Sequence, residues 1–180
     1  DGGHQAFLVG GCVRNALLSQ PVADIDIASD AVPERVIELG RAAGLKVVPT
    51  GIDHGTVTVV VAGEPHEVTT FRRDVETFGR HATVAYAMRV EEDAARRDFT
   101  MNALYADAEG RIVDPLGGGI ADLQARTVRF VGDADARIRE DYLRVLRFFR
   151  FHAWYGDAEA GMDVEALAAC ATNTAGLETL

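Results

Sequence analysis

The sequence predicts an α+β fold: a mixed sheet flanked by helices, followed by an all-helical segment. Three observations carry this. Short apolar runs of strand period alternate with short helical runs over the first two-thirds of the chain. Glycine- and proline-rich turns separate them. From Asp133 onward the period becomes helical. The division that follows is one domain over 1–132 and the start of a second, helical domain over 133–180.

The elements follow in order. Ala6 to Val9 is a short apolar strand running into Gly10-Gly11, and Cys12 to Ser19 reads as a helix with Val13, Ala16 and Leu17 on one face. Asp24 to Ala28 alternates acid and apolar residues, a strand with both aspartates on one side. Pro33 opens a helix that reaches about Ala43, where Gly44 caps it. Leu45 to Val48, Thr56 to Val61 and His66 to Phe71 are strands, the last two joined through Gly63-Glu64-Pro65. Arg72 to Arg89 is polar, without a clean period, and predicts a long mobile loop containing Gly79 and His81. Glu91 to Arg97 is a short helix; Ala103 to Asp107 and Arg111 to Val113 form a hairpin; Ile120 to Gln124 is helical; Val128 to Val131 is a strand. Ala136 to about Tyr155 predicts one long helix, and Val164 to Cys170 another.

Composition narrows the function classes. The 180 residues are 48% apolar and 26% charged, ordinary for a globular chain. A formal charge of -10 argues against a generic nucleic-acid binder, so any RNA contact needs local basic patches or surfaces outside this chain. No apolar run approaches the ~18 residues of a membrane span. Asp1 to Gln5 carry neither a basic nor an apolar leader region, so no signal peptide is expected. The chain starts without Met directly before a strand, and reads as a trimmed piece. Cys12 and Cys170 are far apart and predict reduced, partly buried thiols of a cytoplasmic protein.

Four motifs carry candidate chemistry. Gly10-Gly11-Cys12-Val13-Arg14 joins a strand to a helix; the glycines permit close approach of a phosphate to free N–H groups, with Arg14 adding a forked cation. A plain tight turn with a surface arginine is the alternative. Asp24-Ile25-Asp26 sets two carboxylates about 6–7 Å apart at Cα. Such acids repel unless a cation lies between them, and Mg²⁺ favours a few carboxylates plus substrate phosphates. A solvated strand end is the bland reading. Glu67, on another hairpin, is a candidate third carboxylate or an exposed strand acid. Arg96-Arg97-Asp98-Phe99-Thr100-Met101-Asn102 offers Arg97 as a triphosphate grip, or a salt-bridged helix end. Last, Asp141, Arg144, Arg147 and Arg150 recur every three residues among Leu and Phe. Asp141 and Arg144, acceptor and donor, suit the Watson–Crick edge of a base; an ion-pair network onto the acidic sheet domain is the alternative.

These motifs, together with Glu67-Val-Thr-Thr-Phe-Arg72 and Glu140-Asp141-x-x-Arg144-x-x-Arg147, stand in one order from Phe7 to about Ala153. That order resembles the bacterial-type (class II) tRNA nucleotidyltransferase and poly(A) polymerase family. The resemblance implies a nucleotidyltransferase (polymerase β-like) head over 1–132 and the start of a helical neck over 133–180. It implies CCA addition to tRNA 3′ ends from CTP and ATP, with Mg²⁺ on Asp24 and Asp26, Glu67 as third carboxylate and pyrophosphate released. Gly10, Gly11, Arg14 and Arg97 match triphosphate contacts. Asp141, Arg144, Arg147 and Arg150 match the base-reading neck helix, and 72–89 matches a loop used in switching from C to A. Two departures are Asn15, where relatives often carry Asp, and the segment Tyr86-Ala87-Met88-Arg89-Val90 in place of a more polar one. Rival readings are a poly(A) polymerase, a partial CC- or A-adding enzyme, a non-catalytic RNA- or nucleotide-binding module, and a small-molecule nucleotidyltransferase. Oligomeric state is left open.

Overall fold

The computed structural model describes residues 2–78 and 81–180. Its centre is a seven-stranded mixed sheet built from β1 (Ala6–Val9), β2 (Asp26–Ser29), β3 (Lys46–Gly51), β4 (Thr56–Val61), β5 (Glu64–Thr70), β8 (Tyr105–Ala106) and β9 (Ile112–Val113), in the order β3-β4-β5-β2-β1-β8-β9. The pair β2–β5 is parallel; the other neighbours run antiparallel. Strand–helix–strand passage through α1 (Gly11–Leu17) returns β2 beside β1, as the spacing of the first two motifs requires.

Local chemistry explains the turns. The β4–β5 hairpin turns at Ala62 and Gly63, both at positive φ (51° and 90°), the geometry of a tight primed turn. Glu64 and Pro65, expected in the turn, are instead the first residues of β5. Helix α2 (Pro33–Ala42) starts with proline at its first turn, where the missing N–H costs nothing.

Four further expectations are corrected. Strand β2 begins at Asp26, and Asp24 lies in the irregular segment before it. Strand β1 has already turned into α1 at that level, and continuing the β2–β5 register would set Asp24 opposite Pro65, which has no N–H to give. The segment predicted as a loop forms a separate two-stranded sheet, β6 (Arg72–Phe78) with β7 (His81–Tyr86). Its sequence carries strand formers (Val75, Thr77, Phe78, Thr83, Val84, Tyr86) that outweigh its lack of period; Gly79 lies outside the described residues. The run 128–131 makes only a single bridge, Phe99 to Phe130. The long helix is two, α5 (Ala134–Glu140) and α6 (Leu143–Tyr155). Asp141 breaks it in extended conformation (φ -154°, ψ 105°), and its Oδ1 accepts the Leu143 N–H at 3.0 Å, the local turn by which Asp competes with a helix.

Helices α3 (Val90–Ala95), α4 (Gly119–Gln124) and α7 (Val164–Thr172) complete the chain. Asp133 and Asp163 cap α5 and α7 by accepting the N–H groups of Ala136 and Ala166. The largest core joins the sheet region to the helical segment: Phe99, Met101 and Leu104 pack with Phe148, Phe151 and Cys170. Phe99 and Phe130 centroids lie 5.0 Å apart and Phe130 and Phe148 5.8 Å. Both cysteines are free and buried, as expected. Among the described residues no helix is long and apolar enough to cross a membrane.

Candidate active site

The site forms where β1 ends. Gly10 has φ 73° and ψ -122°, a conformation open mainly to glycine. It lets the chain leave β1 and enter α1 with Gly11 at the first helical position. Asp26 opens β2, the neighbouring strand, and its parallel-strand partner in register is Glu67. Adjacent strands lie about 4.8 Å apart and paired residues share a face, so these exposed acids are neighbours. The sequence could not show this, because the two sit on separate hairpins.

Asp24 and Asp26 form a wall between two cavities. The larger, about 600 Å³, is also lined by Glu64, His66 and Glu67. The smaller, about 190 Å³, is lined by Gly11, Arg14 and Asn15 as well. Burial pushes the Asp26 carboxyl above its ordinary value; Arg97 pulls it back, and Asp24 pushes it up again. A cation between the two acids would relieve both upward effects. Among the described residues no group of three or more His, Cys, Asp or Glu side chains is gathered closely enough to hold a metal by itself. Asp24 and Asp26 offer carboxylate oxygens of the kind a hard divalent cation takes when phosphate and water complete its shell.

Arg97 stands beside this wall. Its Nη2 donates to Asp93 Oδ2 at 2.9 Å and its Nε to the Tyr105 hydroxyl at 3.0 Å. The Tyr105 hydroxyl donates to the same Asp93 oxygen at 2.7 Å. The remaining nitrogen, Nη1, faces Gly10: a Cβ there would lie 3.4 Å from it. Burial works against ionising Asp93, but Arg97, Tyr105 and the Arg72 backbone N–H together hold its carboxyl below the usual range.

Arg14 is placed differently from a free phosphate grip. It is buried, with Nη1 donating to Asn102 Oδ1 at 2.5 Å, Nε and Nη2 to Asn15 Oδ1 at 3.1 and 2.9 Å, and Nη2 to the Tyr155 hydroxyl at 2.8 Å. Its guanidinium carbon lies 4.1 Å from the Tyr155 ring centroid. Burial lowers its pKa and Tyr155 opposes that. Arg14 thus borders the smaller cavity while tying α1 to the end of α6. Asn15, the departure from Asp, orients it as an amide acceptor.

The arginine stripe divides. Arg147 donates through Nε (2.8 Å) and Nη2 (2.5 Å) to Asp98 Oδ2, whose other oxygen accepts from Asn102 Nδ2 at 2.9 Å. Arg144 Nη1 binds Glu140 Oε2 at 2.6 Å and the Arg137 carbonyl at 2.8 Å. Arg150 is exposed and lies 5.6 Å from the Trp154 ring centroid. Asp141 precedes α6 rather than sharing its face. Arg147 thus pairs onto the sheet domain through Asp98, Arg144 pairs within the helical segment, and Arg150 is exposed. The residues that sequence reasoning missed are Asp93, Tyr105 and Tyr155. Only Asp93 had a local signal, its i,i+4 spacing to Arg97.

With that geometry in hand, comparison with known proteins gives consistent matches. Residues 6–129 match the family model described as the poly A polymerase head domain. A CCA-adding enzyme of Bacillus cytotoxicus is 47% identical over 156 residues, 86% of this chain and 38% of its own length. The mouse protein CCA tRNA nucleotidyltransferase 1, mitochondrial, is 42% identical over 175 residues, 97% of this chain and 40% of its own. The crystal structure of the Bacillus stearothermophilus CCA-adding enzyme with CTP superposes with TM-score 0.80 at 40% identity, covering 93% of this chain and 38% of that one. A tRNA nucleotidyltransferase with primer tRNA and an incoming ATP analogue superposes with TM-score 0.75 at 29% identity, covering 96% and 47%. The chain spans about two-fifths of the length of these curated relatives.

Proposed function

The chain belongs to the poly A polymerase head-domain family, and from that membership we propose that it is the catalytic head of a cytoplasmic enzyme adding C and A nucleotides to tRNA 3′ ends. The observation that carries this is the pairing of Asp26 with Glu67 across the parallel strands, with Asp24 beside them and the Gly10-Gly11 turn and Arg97 adjoining. Resemblance to relatives named for CCA addition supports the choice of nucleotides.

In the reaction the RNA 3′-oxygen forms a bond to the α-phosphorus of CTP or ATP. The bond to the pyrophosphate oxygen breaks, and pyrophosphate leaves. Asp24 and Asp26 hold the divalent cations, for which Mg²⁺ is the proposed identity. When bound, these supply Lewis-acid chemistry that favours the ionised hydroxyl and neutralises the leaving group. Glu67 completes the carboxylate wall and is the candidate acceptor of the hydroxyl proton. The Gly10 N–H is held by the Leu104 carbonyl, so the N–H groups that follow it, from Gly11 onward, are those offered to the triphosphate; Arg97 Nη1 adds charge, and Arg14 ties α1 in place. Residues 1–132 are the head and 133–180 the beginning of the neck. Asp141, Arg144, Arg147 and Arg150 supply base selection, which requires Arg144 and Arg147 to leave the partners they hold here.

The test supplies CTP and ATP, singly and together, to the intact protein with tRNA lacking its CCA end, and sequences the products. Ends completed to CCA and stopped there support the proposal. Runs of A, the outcome expected of a poly(A) polymerase as the family model's description suggests, would replace it, and ends that stop at CC or gain only A would mark a partial enzyme.

A further inference from the structure

Among the described residues of the site, Arg97 is the cation whose guanidinium has one edge fastened and the other turned toward the Gly10-Gly11 turn. Its Nε and Nη2 meet Tyr105 and Asp93, and Tyr105 and Asp93 are bonded to each other, so the three groups close a ring. Asp93 is 2% exposed and Tyr105 fully buried. Two rigid partners therefore fix both the tilt and the reach of a long side chain that would otherwise sample many rotamers. Nη1 makes no hydrogen bond among the described residues and lies against Gly10. The second Asp93 oxygen accepts the Arg72 N–H at 3.1 Å, so the same carboxylate anchors the root of β6.

We infer that Tyr105 and Asp93 are positioning residues, which aim the free Nη1 of Arg97 at the phosphates of the incoming nucleotide. The inference rests on the proposed nucleotidyl-transfer reading of the site. Neither residue touches substrate. Both act through Arg97, fixing its guanidinium before the nucleotide arrives, so its loss of freedom is not charged against binding.

The experiment compares equilibrium binding of CTP and CMP, with Mg²⁺ present, to the intact protein and to Tyr105→Phe, Asp93→Asn and Arg97→Ala. Thermal unfolding midpoints verify folding. Tyr105→Phe keeps the ring and removes both hydrogen bonds of the hydroxyl, to Arg97 and to Asp93, so it remains informative if Asp93→Asn fails to fold. The expected result is a CTP affinity lowered about fivefold by Tyr105→Phe, as for the cost of ordering one long side chain on binding, with CMP affinity unchanged. In an Arg97→Ala background the added effect of Tyr105→Phe should vanish. A general packing defect would weaken CTP and CMP alike. Loss of CTP preference with Arg97→Ala but not with Tyr105→Phe overturns the positioning roles alone. CTP binding indifferent to Arg97→Ala overturns both these roles and the reading of Arg97 as a triphosphate contact.

Discussion

Replacing Arg14 with Met keeps most of the stem and removes the cation that ties α1 to α6. The loss can be worked from its partners. Asn102, buried to 7% exposure, loses the donor 2.5 Å from its Oδ1 and has little access to water. A hydrogen bond to a charged group is worth about 1.5–3 kcal/mol. The Tyr155 bond at 2.8 Å and the ring contact at 4.1 Å add about 1 kcal/mol each. Asn15 is half-exposed and recovers its bonds from water. Removing a charge that burial disfavours returns part of the total. The net expectation is about 2–3 kcal/mol lost. With a urea slope of about 2 kcal/mol per molar, the midpoint should fall by about 1–1.5 M. Combining Arg14→Met with Tyr155→Phe should cost less than the sum, by about 1 kcal/mol. A midpoint within about 0.2 M of wild type, or strict additivity with Tyr155→Phe, would refute the view of Arg14 as a buried tie between the two segments.

Three further outcomes are expected. Phe148→Ala empties a fully buried ring site against Phe99 and Phe130 and should lower unfolding free energy by about 3–5 kcal/mol in urea titration. Gly10→Ala forces a Cβ onto φ 73°, ψ -122° beside Arg97; a cost of about 1–3 kcal/mol in stability is expected, with a raised KM for the nucleotide. Asp93 has its folded-state pKa below the ordinary carboxylate value of about 3.9. Its contribution to stability is therefore present above that value and lost as pH falls through the folded pKa. Asp93→Asn should flatten the acid limb of the stability curve below about pH 4, and an acid limb as steep as wild type would contradict the buried ion pair.

What the sequence made legible was local. Gly10-Gly11 between a strand and a helix, the hairpin about Glu109-Gly110 and the cap of α2 follow from turn chemistry within a few residues. What escaped it depends on partners. Asp24 alternates with Asp26 as a strand should, but a strand needs a neighbour, and Gly10 on one side and Pro65 on the other end the pairing. The β6–β7 hairpin has no periodic apolar face in sequence, since it forms a sheet of its own outside the main one. Asp141 breaks a pattern that looked like one helix, because a single side chain bonding two residues ahead reads much like any other exposed acid. The bonds from Arg14 to Tyr155 and from Arg147 to Asp98 join residues 141 and 49 positions apart, and no spacing rule reaches that far. The pair of Arg144 with Glu140, by contrast, is four residues apart and lies within reach of a spacing rule. In the structure Arg14, Arg144 and Arg147 already hold partners.

The central claim is that Asp24 and Asp26 are the metal-holding pair of a nucleotidyl-transfer site. The direct measurement is incorporation of labelled CTP and ATP into tRNA lacking its CCA end by Asp24→Ala and Asp26→Ala forms of the intact protein, with unfolding midpoints recorded beside it. Incorporation should be abolished in each. Neither midpoint should fall, since both acids are exposed at the residue level and the raised Asp26 pKa, set first by burial and then by Asp24 against the pull of Arg97, marks a charge the fold does not favour. Turnover like wild type in either variant would contradict the claim.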